Sequence, residues 1–174
     1  MKKANVRIPL PRVSQKFNYD CGAAALKSLY EFENPDDTND LNKYISLLDS
    51  DEKSGTNTHN MRVAIKLLGL KMVEYKNMSL KRLIKEIITG NPVLCLIRSN
   101  DHGHFVIAIG CDNEHIYFED PFKKKNNGYL KHDEFFRRWS DGDPSSKLAR
   151  FGMAIKSGYA GDSKTTKASK ITGD

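Results

Sequence analysis

The sequence contains few cysteines and no long apolar run. Its three cysteines, Cys21, Cys95 and Cys111, are an odd number scattered over 174 residues. They are too few for a disulfide framework and too widely spaced for a zinc site, so at least one thiol is free. The longest apolar runs, at 93–97 and 105–109, are much shorter than the roughly 18 residues that a membrane-spanning helix needs.

The start of the chain, Met1-Lys2-Lys3, is basic but is not followed by the apolar stretch of a secretory signal. We therefore expect a cytoplasmic protein with no membrane span. The 28 Lys and Arg exceed the 22 Asp and Glu, giving a formal net charge of +6, which suits an acidic surface or nucleic acid but requires neither. Because no metal-ligand spacing, phosphate-binding loop or nucleic-acid motif occurs, we predict no metal, no cofactor and no nucleic-acid partner.

Apolar spacing divides the chain into a helical first part and a sheet that follows. Hydrophobic residues make up 39% and charged residues 29% of the sequence, values typical of a folded domain. Pro9 and Pro11 predict an extended segment along a sheet edge over 6–13. The three-and-four spacing predicts helices beginning at Asp20, over 41–48 and 61–68, after Ser79 and over 133–139. Short apolar runs predict strands at 93–97, 105–109, 116–118 and 151–155.

Helices followed by strands in one chain of this length indicate an α+β domain. We expect this domain to cover residues 1–156. Residues 157–174 are rich in Gly, Ser, Thr, Lys and Asp and have few large apolar residues, which is typical of a disordered tail.

Cys21 is the strongest candidate for chemistry because it lies at a predicted helix N-terminus. There the unpaired N–H groups and the helix dipole favour a thiolate, which is the nucleophilic form. Taken alone, a cysteine followed by Gly-Ala-Ala-Ala is equally well explained as a small buried residue. Asp20 is predicted to cap the helix, and Gly22 to let a substrate backbone come close. Gln15, six positions upstream, can donate an amide N–H toward the same point, as in an oxyanion hole.

A cysteine nucleophile needs a base and a group that orients the base. His102 and His104 flank Gly103 at the start of the most apolar run. Both point to the same face, so periodicity does not separate them, and we choose His104 because it adjoins the strand directly. Asp120 ends the next apolar run. If the two runs pair antiparallel, the imidazole and this carboxylate come within reach of each other.

Four motifs carry a family resemblance: Gln15, Asp20-Cys21-Gly22-Ala23-Ala24-Ala25-Leu26, His104-Phe105-Val106 and Asp120-Pro121. Together they resemble the papain-like cysteine peptidases that process bacteriocin leader peptides after a double glycine. The likeness covers about residues 13–155 and implies a papain-like fold, with N-terminal helices packed on a C-terminal antiparallel sheet. It implies that Cys21 is the nucleophile, His104 the general base and then acid, and Asp120 the orienting residue. Gln15 and the Cys21 backbone N–H would form the oxyanion hole.

The resemblance also predicts partners. Many members of that family are N-terminal domains of a transporter that exports the trimmed peptide, whereas this sequence contains no transmembrane segment or nucleotide-binding motif. The lead-in Ile8-Pro9-Leu10-Pro11 is more similar to the stand-alone soluble relatives. We therefore expect a stand-alone peptidase with a peptide or protein substrate, a separate transporter as a further partner, and Gly22 and Gly103 in substrate binding.

The sequence does not exclude other functions. Because an amine can intercept a thioester as well as water, the same residues could perform deamidation, transglutaminase-like transfer or acyl transfer. A non-catalytic peptide-binding module would keep the groove, although such modules typically lose the nucleophile. Nucleic-acid binding through the basic surface would be salt-sensitive. Lys123-Lys124-Lys125, just after Asp120, could instead steer an acidic peptide.

Overall fold

The computed structural model describes residues 5–122, 128–142 and 148–157. The helices are α1 (Cys21–Glu33), α2 (Leu41–Leu48), α3 (Thr58–Leu67), α4 (Leu80–Ile88) and α5 (His132–Asp141). The strands are β1 (Val6–Arg7), β2 (Met72–Tyr75), β3 (Val93–Ser99), β4 (His102–Cys111), β5 (His115–Glu119), β6 (Gly128–Lys131) and β7 (Gly152–Ile155). The basic loop at 123–125 and the predicted tail beyond Ser157 lie outside the described residues. Within the described ranges, no helix is long and apolar enough to cross a membrane.

The strands form one antiparallel sheet in the order β2-β7-β3-β4-β5-β6, and β1 pairs with β4. The centre of the sheet is the hairpin of β3 and β4, which pair from Val93 opposite Ala108 to Ser99 opposite His102. Both strands are buried over most of their length, because helices cover both faces of the sheet. Helices followed by an antiparallel sheet confirm the predicted α+β fold.

Helix α1 covers one face of the sheet, with α2 and α3 packed beside it, and α4 and α5 cover the other. On the first face, Leu26 and Leu29 of α1 are buried with Phe105 and Ile107 of β4. The second face buries Leu83, Ile87, Phe135 and Trp139 against Val93, Cys95 and Val106. Each fully buried leucine or phenylalanine contributes about 1.5–3 kcal/mol by leaving water. This packing holds the first turn of α1 against the sheet.

The structure adds two strands that the sequence pattern did not predict, β2 and β6. Both are four residues long and lie at the outer ends of the sheet, where most of their side chains are at least partly exposed. Such short strands show little apolar alternation.

The segment 6–13 is predicted to lie along a sheet edge, and its strand β1 has one strand partner in the described part of the chain. That partner is the central strand β4, through Val6 opposite Cys111 and Arg7 opposite Gly110. β1 pairs with β4 beyond Val93, where the pairing of β3 with β4 has ended. A Cβ at Gly110 would lie 2.6 Å from the Val6 carbonyl oxygen, so glycine is what lets β1 come this close.

Candidate active site

The nucleophile candidate Cys21 is the first residue of α1 and is 9% exposed. Asp20 occupies the N-cap position, but its side chain makes no capping hydrogen bond to the helix. Its two carboxylate oxygens accept from the backbone N–H groups of Lys16 and Phe17, each at 3.0 Å. The prediction that the Asp20 side chain caps α1 is therefore wrong. The first backbone N–H groups of α1, next to Cys21, therefore donate no hydrogen bond to the Asp20 side chain.

His104 and Asp120 lie side by side at one end of the β4–β5 pair. Ile107 is opposite Glu119, and continuing this register puts Asp120 diagonal to His104 on the same face. The His104 Nε2 to Asp120 Oδ1 distance is 2.8 Å. The same oxygen accepts from the Phe122 backbone N–H at 3.0 Å, which fixes the orientation of the carboxylate.

Cys21 completes this group, because it lines the same cleft as His104 and its thiol interacts with the imidazole. Burial acts to lower the pKa of His104, but hydrogen bonds and charge from Asp120 and Cys21 outweigh it and raise the pKa to about 9. Since Nε2 is engaged by Asp120, Nδ1 is the nitrogen left for the thiol. His102, the other candidate base, is exposed on the cleft wall. The structure thus brings Cys21, His104 and Asp120 together.

Gln15 lies on the turn before α1, tied to the segment after Asp120. Its backbone N–H donates to the Pro121 carbonyl at 2.8 Å. Its side-chain Nε2 donates to the Phe17 carbonyl at 2.6 Å, which leaves the second N–H of the amide for another acceptor. Its Oε1 is buried without a hydrogen-bond partner among the described residues.

A cleft of about 720 Å³ opens in front of Cys21. Its walls are formed by Tyr19 and Cys21, by residues 52–58, which connect α2 to the first residue of α3, and by residues 102–105 at the start of β4. Gly103 therefore lines the cleft, and its contact with substrate stays a prediction. The wall formed by residues 52–58 was not predicted. Its sequence, rich in Ser, Thr, Asn and Gly, is the turn signal that could have indicated an ordered loop.

Gly22 has a different environment from the one expected. A Cβ at this position would lie 2.5 Å from the Thr56 Oγ1, so the Thr56 side chain fills the space that the glycine leaves. Gly22 is buried, and the close packing of Thr56 explains why a glycine is needed. Its contact with substrate stays a prediction.

Within residues 5–122, 128–142 and 148–157, no group of three or more His, Cys, Asp or Glu side chains is placed to hold a metal ion. The groups that meet around Cys21 are a thiol, an imidazole and a carboxylate, with the Gln15 amide on the adjoining turn.

Glu119, next to Asp120, is a buried carboxyl outside this group. It is 3% exposed, and its Oε2 has no hydrogen-bond partner in the described part of the chain. Burial raises the pKa of Glu119 to about 7; the Arg12 charge opposes this rise and the Asp120 charge adds to it. The folded protein therefore holds a proton on Glu119 where the unfolded chain has lost it.

Glu119→Gln is expected to stabilise the protein at alkaline pH and to have little effect in acid. Below the ordinary glutamate pKa of 4.5, the carboxyl is protonated in both the folded and the unfolded wild type, and the cost of the buried acid grows from there up to a pH of about 7. The variant should gain up to about 3 kcal/mol in unfolding free energy relative to wild type across that interval. Denaturant unfolding of both proteins at about pH 5 and about pH 8 measures it. An equal difference at the two pH values would contradict the assignment.

Residues 10–142 match the peptidase C39 family, and this range includes Gln15, Cys21, His104 and Asp120. The chain belongs to the peptidase C39 family. It is therefore a peptidase, as the resemblance in the sequence predicted.

Solved structures of C39 peptidases share the fold of this one. A double glycine motif protease from an AMS/PCAT transporter, in complex with the leader peptide, is 19% identical over 87% of this chain and 96% of that chain, with a TM-score of 0.63. A C39-like peptidase from Bacillus anthracis is 15% identical over 89% and 98%, with a TM-score of 0.66. The peptidase domain of Streptococcus ComA, a bifunctional ABC transporter, is 17% identical over 82% and 95%, with a TM-score of 0.63. A comparison with curated proteins gave no match.

These likenesses confirm the predicted papain-like architecture of this C39 peptidase. At identities below 20% they are evidence for the fold and not for the details of the site. The roles of individual side chains must therefore be argued from the contacts described above.

Proposed function

We propose that this C39 peptidase is a cysteine peptidase whose nucleophile is Cys21. The observation that carries the proposal is the contact of one buried imidazole, His104, with both the Cys21 thiol and the Asp120 carboxylate. Cys21 and His104 line a cleft large enough for several residues of an extended peptide. A nucleophile, a base and an orienting carboxylate in this order are what acyl transfer to a thiol requires.

The first half of the reaction forms a thioester. His104 holds the proton that Cys21 gives up, and the Cys21 sulfur attacks the scissile carbonyl carbon as a thiolate to form a tetrahedral oxyanion. The second amide N–H of Gln15 and the Cys21 backbone N–H stabilise that oxyanion. The C–N bond then breaks, and the imidazolium gives its proton to the leaving amine. A His104 pKa of about 9 keeps the imidazolium available for this step at neutral pH.

The second half hydrolyses the thioester. His104, now neutral, takes a proton from water, and the resulting hydroxide attacks the acyl carbon through a second oxyanion at the same position. Collapse of this intermediate breaks the C–S bond, returns the proton to the thiolate and releases the carboxylate product. Asp120 keeps Nδ1 of the ring turned toward the sulfur throughout, because it binds Nε2.

We infer that the substrate is a leader peptide cleaved after a double glycine. The support is the likeness to a double glycine motif protease in complex with a leader peptide, together with membership of the C39 family. A second neighbour is the peptidase domain of a bifunctional ABC transporter. By analogy, we propose a cytoplasmic role in which a separate transporter receives the trimmed peptide.

Labelling with iodoacetamide tests the proposed nucleophile. Cys21 faces the cleft, whereas Cys95 is fully buried and Cys111 is 2% exposed. Burial also raises the pKa of both of these thiols. We expect rapid alkylation of Cys21 alone at neutral pH, located by mass spectrometry of peptides from the labelled chain.

The control for this labelling is His104→Ala, which removes the base. Alkylation of Cys21 at neutral pH should become at least about tenfold slower in this variant, because the imidazole no longer accepts the thiol proton. Labelling spread over all three cysteines, or an unchanged rate in His104→Ala, would contradict an activated thiolate at Cys21.

A further inference from the structure

The turn that leads from Gln15 to Cys21 is organised by one buried carboxylate. Asp20 is fully buried, and its two oxygens accept from the backbone N–H groups of Lys16 and Phe17. A carboxylate withdrawn from water is stable only where donors replace its hydration. Charge-assisted hydrogen bonds to backbone are also stronger than neutral ones. The Asp20 side chain therefore binds the turn before α1 and does not cap the helix.

Phe17 links this carboxylate to the Gln15 side chain. Its backbone N–H donates to Asp20 Oδ1 at 3.0 Å, and its carbonyl accepts from Gln15 Nε2 at 2.6 Å. The position of the Gln15 amide thus depends on the position of Phe17, which depends on Asp20. The other end of the turn is held by the hydrogen bond from the Gln15 backbone to Pro121.

Core packing does not hold this turn in place. The Phe17 ring stacks on Tyr19 with centroids 5.2 Å apart, but its side chain lies at the surface and the residue is 42% exposed. Lys16 is exposed as well. With little apolar burial available, the two hydrogen bonds to Asp20 are the main restraint on the conformation of residues 16 and 17.

We propose that Asp20 is a positioning residue for oxyanion stabilisation. By holding Phe17, it directs the free N–H of the Gln15 amide to the point where the oxyanion forms when Cys21 attacks a carbonyl. This inference rests on the proposed function. Asp20 itself does not touch the reacting atoms, so its effect must pass through Gln15.

Two small probes separate this role from a general structural one. In p-nitrophenyl acetate, the Cys21 sulfur bonds to the carbonyl carbon, an oxyanion forms, and the C–O bond breaks to release p-nitrophenolate. In iodoacetamide, the sulfur bonds to the methylene carbon while iodide leaves with the C–I electron pair, and no oxyanion forms. A residue that acts through the oxyanion hole affects the first reaction and spares the second.

The experiment compares wild type, Asp20→Asn, Gln15→Ala and the double variant, all as full chains. Loss of one oxyanion donor typically slows acyl transfer by about 10²–10³-fold, and we expect Asp20→Asn to lose about 10- to 100-fold in p-nitrophenolate release. Its rate of alkylation by iodoacetamide should stay within about twofold of wild type. The double variant should be no slower with the ester than Gln15→Ala, because both changes remove the same contribution.

Asp112→Asn is the matched control. Asp112 also accepts two backbone N–H groups, from Glu114 and His115, but it follows β4 at the end opposite His104, about 26 Å along the strand. We expect this variant to keep both reaction rates. If Asp20→Asn does not fold, Asp20→Glu keeps the charge and displaces the carboxylate by one methylene, and the same split between the two probes is expected.

Three results would overturn the role of Asp20: unchanged ester acylation, equal losses with both probes, or ester losses that multiply in the double variant. A wild-type chain in which Cys21 reacts with neither probe would overturn the proposed function itself. That failure is visible in the wild type, whereas failure of the Asp20 inference is visible only in the variants.

Discussion

Cys21→Ala is expected to abolish cleavage of a peptide that carries a Gly-Gly motif, while the protein stays folded. Without the sulfur no thioester can form, and loss of such a nucleophile lowers the rate by roughly 10⁴-fold or more. The fold should survive, because alanine fits the space of a residue at the cleft surface and is a good helix former. Mass spectrometry of the peptide after incubation measures the products.

The masses also identify the reaction. Two fragments whose masses sum to that of the peptide plus one water indicate hydrolysis, whereas a fragment joined to an added amine indicates transfer. The matched control is Cys95→Ala, which removes a fully buried thiol on the other face of the sheet. This variant should lose stability but keep cleavage. Undiminished cleavage by a folded Cys21→Ala variant would contradict the proposed mechanism.

Asp120→Asn is expected to lower kcat by about 10²–10⁴-fold, while Glu119→Gln leaves it near the wild-type value. The two carboxyls are neighbours in sequence, but only Asp120 contacts the His104 imidazole. An amide in its place can present an N–H to Nε2, which favours the ring tautomer with its proton on the wrong nitrogen. Steady-state kinetics on one peptide substrate compare the two variants, and similar losses in both would contradict the role of Asp120.

The pH profile of the same variants provides an independent readout. Asp120 raises the pKa of His104, so in the wild type we expect kcat/KM to fall as the imidazolium is lost above a pH of about 9. Removing the carboxylate charge lowers that pKa, and the fall should begin at lower pH in Asp120→Asn. Glu119→Gln should leave the alkaline limb in place. An alkaline limb at the same pH in all three proteins would show that His104 is not the titrating group.

The parts of the fold that the sequence predicted are those whose burial follows one regular period. β3 and β4 are buried over most of their length, so their apolar runs are continuous, and the helical stripes of α2, α3 and α4 are equally regular. β2 and β6 could not be predicted, because edge strands of four residues bury too few side chains to show an apolar alternation. The partner of β1 could not be predicted, because a pairing across about 100 residues leaves no local pattern in the sequence.

The candidate site was predictable to the extent that it depends on local structure. Neighbouring residues alone indicate a cysteine at the start of a helix, a histidine at the start of an apolar strand and an aspartate at the end of the next strand. Which groups actually meet depends on register. The β4–β5 pairing shifts between Ala108 and Gly110, and such a bulge changes which faces correspond along the two strands. Alternation alone therefore could not establish that Asp120 rather than Glu119 reaches His104.

By itself, the sequence determined the α+β class, the order of its main elements and the residue types available for thiol chemistry, because apolar periodicity and helix ends are local properties. Only the tertiary structure decided that His104 and not His102 bonds Asp120, that Thr56 fills the space beside Gly22, and that Asp20 holds the Gln15 turn instead of capping α1. Each of these depends on where a backbone or side-chain partner lies in space. Hydrogen bonds and close packing act over a few ångströms, and only the folded chain brings such partners within that distance.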